Sequence, residues 1–249
     1  MAGLSGTGIV GSPDLYGSSI TPGENLAVGQ LVWDGKTGKA FRYVLNGAAA
    51  LVKGNLVQEA VEDTTMENMV VRTAGVAGNR FLHITNGTST ITNAMYVGGS
   101  LSVYTAGTIA ICDEYTVTGI SGTLTTGGAM TVWLDRPLRA AVTTSATVNL
   151  KRSPWSGVIV APATTSTGMI CGVAHYEVPA EYYGWVQTHG MAAVLSDNGT
   201  FAVGSGVGGP LTVAGAMGVY AAGTGAQYVG VTRMAKASAK GLAVFVQID

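Results

Sequence analysis

The chain has 249 residues, of which 37 are Gly, 47% are apolar and 11% are charged, with 13 Lys plus Arg set against 14 Asp plus Glu. Average chains carry about 25% charged residues, and disorder is marked by low hydrophobicity with high net charge, so this composition excludes a disordered chain and implies an unusually neutral exterior. It also lacks the clustered cations that hold a phosphate backbone, which removes nucleic acid from the expected partners.

Residues 1–25 are rich in Gly and Pro, have no helical period and carry almost no charge, so they read as an extended N-terminal arm. Leu4, Ile9, Val10, Leu15, Tyr16 and Ile20 are its candidate anchors on another subunit or on a larger assembly. The first residues show neither a basic region nor an apolar run, so no secretory signal is read there. Polar residues and Gly interrupt every charge-free stretch before about 18 apolar residues accumulate, so neither a spanning helix nor a membrane partner is expected.

From Leu26 onward the dominant signal is alternation. Phe41, Tyr43 and Leu45 share a face, as do Ile109 and Ile111, then Met130, Val132 and Leu134, and finally Leu242, Val244, Val246 and Ile248. Asp34-Gly35, Asn46-Gly47, Asn86-Gly87 and Asn198-Gly199 punctuate these strands as candidate hairpin turns. The expected fold class is all-β, built of antiparallel β-sandwich or barrel modules behind the arm. Only residues 55–69 offer helical spacing, through Leu56, Val57, Ala60 and Val61, and two Thr and a weak later period weigh against it. The Pro- and Thr-rich region around 139–162 is the best boundary, giving a β module over 26–150 and a second over 151–249. A short echo, Val97-Gly98-Gly99-Ser100-Leu101-Ser102-Val103 against Val207-Gly208-Gly209-Pro210-Leu211-Thr212-Val213, is weak evidence of duplication.

Few residues offer chemistry. Gly6 to Gly11 and Gly204 to Gly209 fit a G-x-G-x-x-G pattern without the strand and helix that make it a phosphate cradle. Cys171 and His175, with His189 further on, lack the tight paired spacing of a zinc site. Ser196-Asp197 near His189 has no oxyanion hole or oriented base to complete it. Glu59, Glu62, Asp63 and Glu67 form an acidic run that reads as a solvated face rather than a calcium site, and Arg233, Lys236 and Lys240 a small basic group. Cys112 and Cys171 read as reduced, buried thiols, with a single bridge left open. No cofactor, metal or catalytic constellation is expected, and the chain reads as a structural protein rather than an enzyme.

The segment Gly35-Lys36-Thr37-Gly38-Lys39-Ala40-Phe41-Arg42-Tyr43, continued by Gly54-Asn55-Leu56-Val57-Gln58, resembles the N-terminal strands of tailed-bacteriophage capsid decoration proteins, also called cement or head-stabilising proteins. Tyr182-Tyr183-Gly184-Trp185-Val186-Gln187-Thr188-His189-Gly190 is similar to an aromatic strand of virion structural proteins of that kind. The resemblance implies a protein made in the host cytoplasm that sits on the outer surface of a virion capsid. There it would act as a homotrimer and bridge subunits of the major capsid protein. The chain is long for one decoration module, which leaves a tail, collar or fibre component, or a glycan-binding surface adhesin, as the alternative. Within the aromatic strand, alternation puts Trp185, Gln187 and His189 on one face; Trp185 reads as a core anchor or as a subunit-interface anchor.

Overall fold

The computed structural model describes residues 14–104, 112–163, 166–197, 199–220, 227–236 and 241–249. The arm residues Leu4, Ile9 and Val10 and the strand residues Ile109 and Ile111 lie outside the described residues. Strands follow one another along the chain as β1 (Leu31–Asp34), β2 (Lys39–Asn46), β3 (Leu56–Gln58), β4 (Met69–Thr73) and β5 (Phe81–Thr85). A four-residue helix α1 (Asn93–Tyr96) comes next, then β6 (Ser100–Tyr104), β7 (Cys112–Gly122), β8 (Ala129–Leu134), β9 (Thr147–Lys151) and β10 (Ser156–Val160). The last six are β11 (Ile170–Ala174), β12 (Tyr183–Leu195), β13 (Gly206–Gly208), β14 (Gly218–Val219), β15 (Tyr228–Thr232) and β16 (Gly241–Gln247). The expected all-β class is the observed one.

Strands β4-β5-β8-β7-β6-β9 close on themselves as an antiparallel barrel. Closure follows from alternation: Leu82 and Ile84, Leu101 and Val103, Met130, Val132 and Leu134, and Val148 and Leu150 all point inward and are buried. A six-stranded barrel is narrow enough for side chains to fill it, and closing it leaves no edge strand. Met66, Tyr96, Leu138 and Val142 join the same core.

The remaining strands form one sheet in the order β1-β2-β10-β3-β11-β12-β16-β15-β13-β14, with a further pairing of β2 with β12. That pairing closes a ring of five strands, β2-β10-β3-β11-β12. A parallel bridge from Met217 to Ser196 brings the far end of the sheet back to β12, so the long β12 serves two curled halves. Between them, β3 and β11 are buried on both faces. Leu56 and Val173 enter one core with Phe201, Val229 and Val244, whereas Val57, Cys171 and Ala174 enter the other with Val44, Val158 and Val186. This explains why Ile170-Cys171-Gly172-Val173-Ala174 carries no alternation.

The boundary near 150 marks the end of the closed barrel, but the division into 26–150 and 151–249 does not follow strand pairing. β2 and β3 pair with β10, β11 and β12, so the closed barrel is an insertion between two halves of one discontinuous sheet. Local patterning cannot reveal this, because an inserted barrel and a following barrel alternate alike. The echo is not a structural repeat: Val97 to Val103 runs into β6, whereas Val207 to Val213 leaves β13 for a loop. Residues 55–69 form β3 and one 3-10 turn, Thr64–Met66, capped by Asp63.

Two of the Asn-Gly pairs serve as staples rather than hairpins. Asn46 is 2% exposed and its Nδ2 reaches the carbonyls of Ala49, Val178 and Pro179 at 2.8–2.9 Å. Asn86 Nδ2 donates to Ser89 O and Thr125 O in the same manner. Asp34-Gly35 does open a hairpin, between β1 and β2, held by Asp34 accepting from Thr37 Oγ1 at 2.6 Å and Lys36 N at 3.0 Å. Those bonds hold the Asp34 carboxyl below its usual range, that from Thr37 foremost. Asn198 lies outside the described residues.

Candidate functional site

The described part of the arm lies on its own chain. Ser19 and Tyr183 exchange backbone hydrogen bonds of 3.0 and 2.7 Å, and Gly23 N donates to the Tyr43 hydroxyl at 2.8 Å. Leu15 is half-buried against a cluster of Phe41, Tyr43 and Trp185 that Leu26, Val32, Tyr176 and Tyr183 complete. Trp185 is 2% exposed, so its ring is a core anchor and offers no surface to a partner. Its backbone N–H donates to the Tyr176 hydroxyl at 2.7 Å, and burial pushes that phenol up to about 12. Tyr16 and Ile20 stay exposed, at 56% and 66%. Of the expected anchors, Leu15 and Trp185 are therefore used internally, and Tyr16 and Ile20 face outward.

The face shared by Trp185, Gln187 and His189 is broken by a bulge. Trp185 pairs with Tyr43 and Gln187 with Phe41, but His189 pairs with Ala40, so Thr188 is the extra residue and His189 turns to the opposite face. There it meets Trp33 at 5.2 Å and Phe245 at 5.2 Å between ring centroids. Met191, opposite Phe245 in the register, and Leu31, two residues from Trp33, extend the row. Trp33 is 52% and Met191 40% exposed, so the row is a surface feature. It begins on β1, which stands at one edge of the sheet. Sequence reasoning missed it because a bulge reverses the alternation on which facing is inferred.

The acidic run borders a cleft of about 400 Å³ between the closed barrel and the 166–169 segment. Three of its four carboxylates are engaged locally. Glu62 pairs with Lys151 at 2.7 Å, Glu59 Oε1 accepts from Met169 N at 2.7 Å, and Asp63 accepts from Thr65 N and Oγ1. Burial works to raise the Asp63 carboxyl, but the Thr65 and Ser89 hydroxyls outweigh it and hold it below its usual range. Tyr96 lies at the base with the Arg152 guanidinium 5.6 Å over its ring. The arrangement is a hydrogen-bonded rim, not a set of oxygens converging on a cation.

The other candidates are dispersed. Among the described residues no three His, Cys, Asp or Glu side chains are placed to hold a metal ion. Cys171 is a buried free thiol whose Sγ donates to Pro154 O at 3.1 Å; the side chain of Cys112 lies outside the described residues. Ser196 accepts from Lys236, Asp197 accepts from Leu211 N and Thr212 N at 2.7 and 2.6 Å, and His189 packs against Trp33 and Phe245, so the three do not form a relay. Lys240 lies outside the described residues. No family model, curated protein or solved structure matches the chain.

Proposed function

We propose that this chain is a structural virion protein that binds the outside of a tailed-phage capsid and bridges subunits of the major capsid protein, acting as a homotrimer. The observation that carries the reading is the edge strand β1 with its exposed Leu31 and Trp33, continued by His189, Phe245 and Met191 into one largely aromatic row. An edge strand is a template for added strands, and an apolar row beside it supplies the burial that makes such an addition stable. The low charge of the chain suits a surface that is covered in an assembly. The exposed Tyr16 and Ile20 of the arm supply further apolar contact.

Binding to the assembled shell and not to free subunits stabilises the shell by linkage. The test is thermal genome release from particles carrying the protein, from particles lacking it, and from particles supplied with a Leu31→Asp/Trp33→Asp variant. The reading requires a higher release temperature with the protein and loss of capsid occupancy in the variant. Equal release temperatures at full occupancy, or a tail location in electron micrographs, overturn it. Light scattering that returns a mass near 25 kDa removes the trimer.

A further inference from the structure

The closed barrel carries a second aromatic surface, on strands of the barrel and not of the sheet that holds β1. Phe81 on β5 pairs with Trp133 on β8, and Trp133 pairs with Gly119 on β7, so the three share one row on the outer face. Their rings lie 5.4 Å apart, and Trp133 is 45% exposed. Gly119 itself adds no side chain over the indole; a Cβ placed there would already lie 3.6 Å from Trp133 Cδ1. The neighbouring row is polar: Thr73, His83, Thr131 and Ser121 follow one another across β4, β5, β8 and β7. Trp133 Nε1 donates to Ser121 Oγ at 3.3 Å, and His83 Nδ1 lies 2.9 Å from Thr131 Oγ1, so the indole and imidazole orientations are set by bonds to adjacent strands.

We propose that this face is a carbohydrate-binding platform for a neutral glycan, with Trp133 and Phe81 stacking on the C–H face of a sugar ring and Thr73, His83, Thr131 and Ser121 meeting its hydroxyls. Charge argues for this occupant. The two rows hold no acid and a single cation, Arg72, which the bulge in β4 places beside Thr73 opposite His83, whereas a single-stranded nucleic acid, which also stacks on aromatic rings, needs a track of several cations for its phosphates. Area argues for it too. The exposed part of Trp133 amounts to about 110 Å², and with half-buried Phe81 and His83 the aromatic surface reaches about 200 Å². An area of this size suits one or two sugar rings. Strands of a closed barrel hold the platform rigid, which limits the ordering cost of binding.

The platform is independent of the capsid-docking reading, because it lies on other strands and is tested with the purified protein alone. Chitotriose, cellotriose, maltotriose and mannotriose are titrated against the full chain, with binding followed by calorimetry and by shifts of the indole N–H resonances in NMR. At least one trisaccharide should bind and shift the Trp133 resonance. Trp133→Ala should weaken that binding about tenfold or more, with Trp133→Phe retaining part of it and Trp33→Ala leaving it unchanged. Because Trp133 is a surface residue, Trp133→Ala should keep the circular dichroism of the parent, and Ser121→Ala, which leaves the ring in place, gives a second, smaller loss. Absence of binding by all four sugars overturns the proposal, as does binding that survives Trp133→Ala, or saturable binding of oligo-dT at the same face in their place.

Discussion

Lys39 Nζ lies 3.4 Å from His175 Nε2, and the Tyr16 ring of the arm stands edge-on to the same imidazole at 5.5 Å. An ammonium group has only donors, so His175 accepts through Nε2 and keeps its proton on Nδ1. Burial, then the charge of Lys39 with that of Lys53, holds the imidazole below its usual 6.5. The unfolded chain therefore takes up this proton at a higher pH than the folded one. The stability tied to neutral His175 is present above about pH 6.5 and is lost as pH falls through the depressed folded value. Thermal unfolding should move to lower temperature between about pH 7 and about pH 5, and less so in His175→Gln. In NMR, His175 should titrate below 6.5 and Lys39→Met should raise that value. A titration at or above 6.5 contradicts the assignment.

Asn46→Ala should destabilise the protein by about 1–3 kcal/mol, because it removes the donor shared by three carbonyls, of which that of Val178 is buried and those of Ala49 and Pro179 are partly so. The Asn46 Oδ1 bond from Gly47 N, 2.8 Å, is lost with them. Urea unfolding measures the effect, and a loss of less than about 0.5 kcal/mol would show that the bonds Val178 O and Pro179 O already accept from Leu51 N and Tyr182 N suffice without Asn46.

This asparagine also shows what local pattern conveys and what it hides. The alternation of Met130, Val132 and Leu134 is legible because one face of β8 meets a core and the other meets water. That of Ile170 to Ala174 is absent because both faces of β11 are buried, and only the topology says so. Asn46-Gly47 has the composition of a hairpin turn, but its role depends on Val178 and Pro179, which are brought to it by the fold. Likewise Trp185 and His189 part company through one extra residue, Thr188, and the surface row built on His189 could not be read from spacing.

Asp197 is 1% exposed and accepts from the backbone N–H groups of Leu211, Thr212 and Val213 and from the Thr212 hydroxyl. A carboxylate that gathers three successive amides fixes the path of the loop after β13. Asp197→Ala leaves the three amides and the Thr212 hydroxyl without the acceptor they share. It should cost about 3 kcal/mol and speed hydrogen exchange at Leu211 and Thr212 more than at Leu82 in the closed barrel. Uniform acceleration at all three amides would mean that Asp197 supports global stability without pinning the loop.

The Cys171 thiol should be inert in the native state. Burial, with the nearby Glu59 and Asp249 carboxylates adding to it, pushes the thiol well above its ordinary value, and only the thiolate reacts. In a Cys112→Ser background, a colorimetric disulfide reagent at about pH 8 should register no thiol until denaturant is added. Rapid native labelling would show that the core around β11 opens on the time scale of the reaction.

Glycines in this chain hold strands together as well as turning them, and Gly230 tests that. It lies in β15 between Val207 of β13 and Val246 of β16, and a Cβ placed on it would come 2.1 Å from the Phe245 carbonyl oxygen. The obstacle is the backbone of the adjoining strand, which cannot rotate aside as the end of a side chain can. Gly230→Ala must therefore spread β15 from β16 or bend one of them, and overpacking of this kind should cost about 2–3 kcal/mol. Gly35, in the β1–β2 hairpin, provides the control: nothing stands within 4 Å of its Cβ position and its φ is not positive. Gly35→Ala should stay within about 0.5 kcal/mol of the parent. Paired urea titrations decide the matter. Equal midpoints for the two variants would mean that the β15–β16 spacing yields at little cost, and that the close approach at Gly230 does not constrain the sheet.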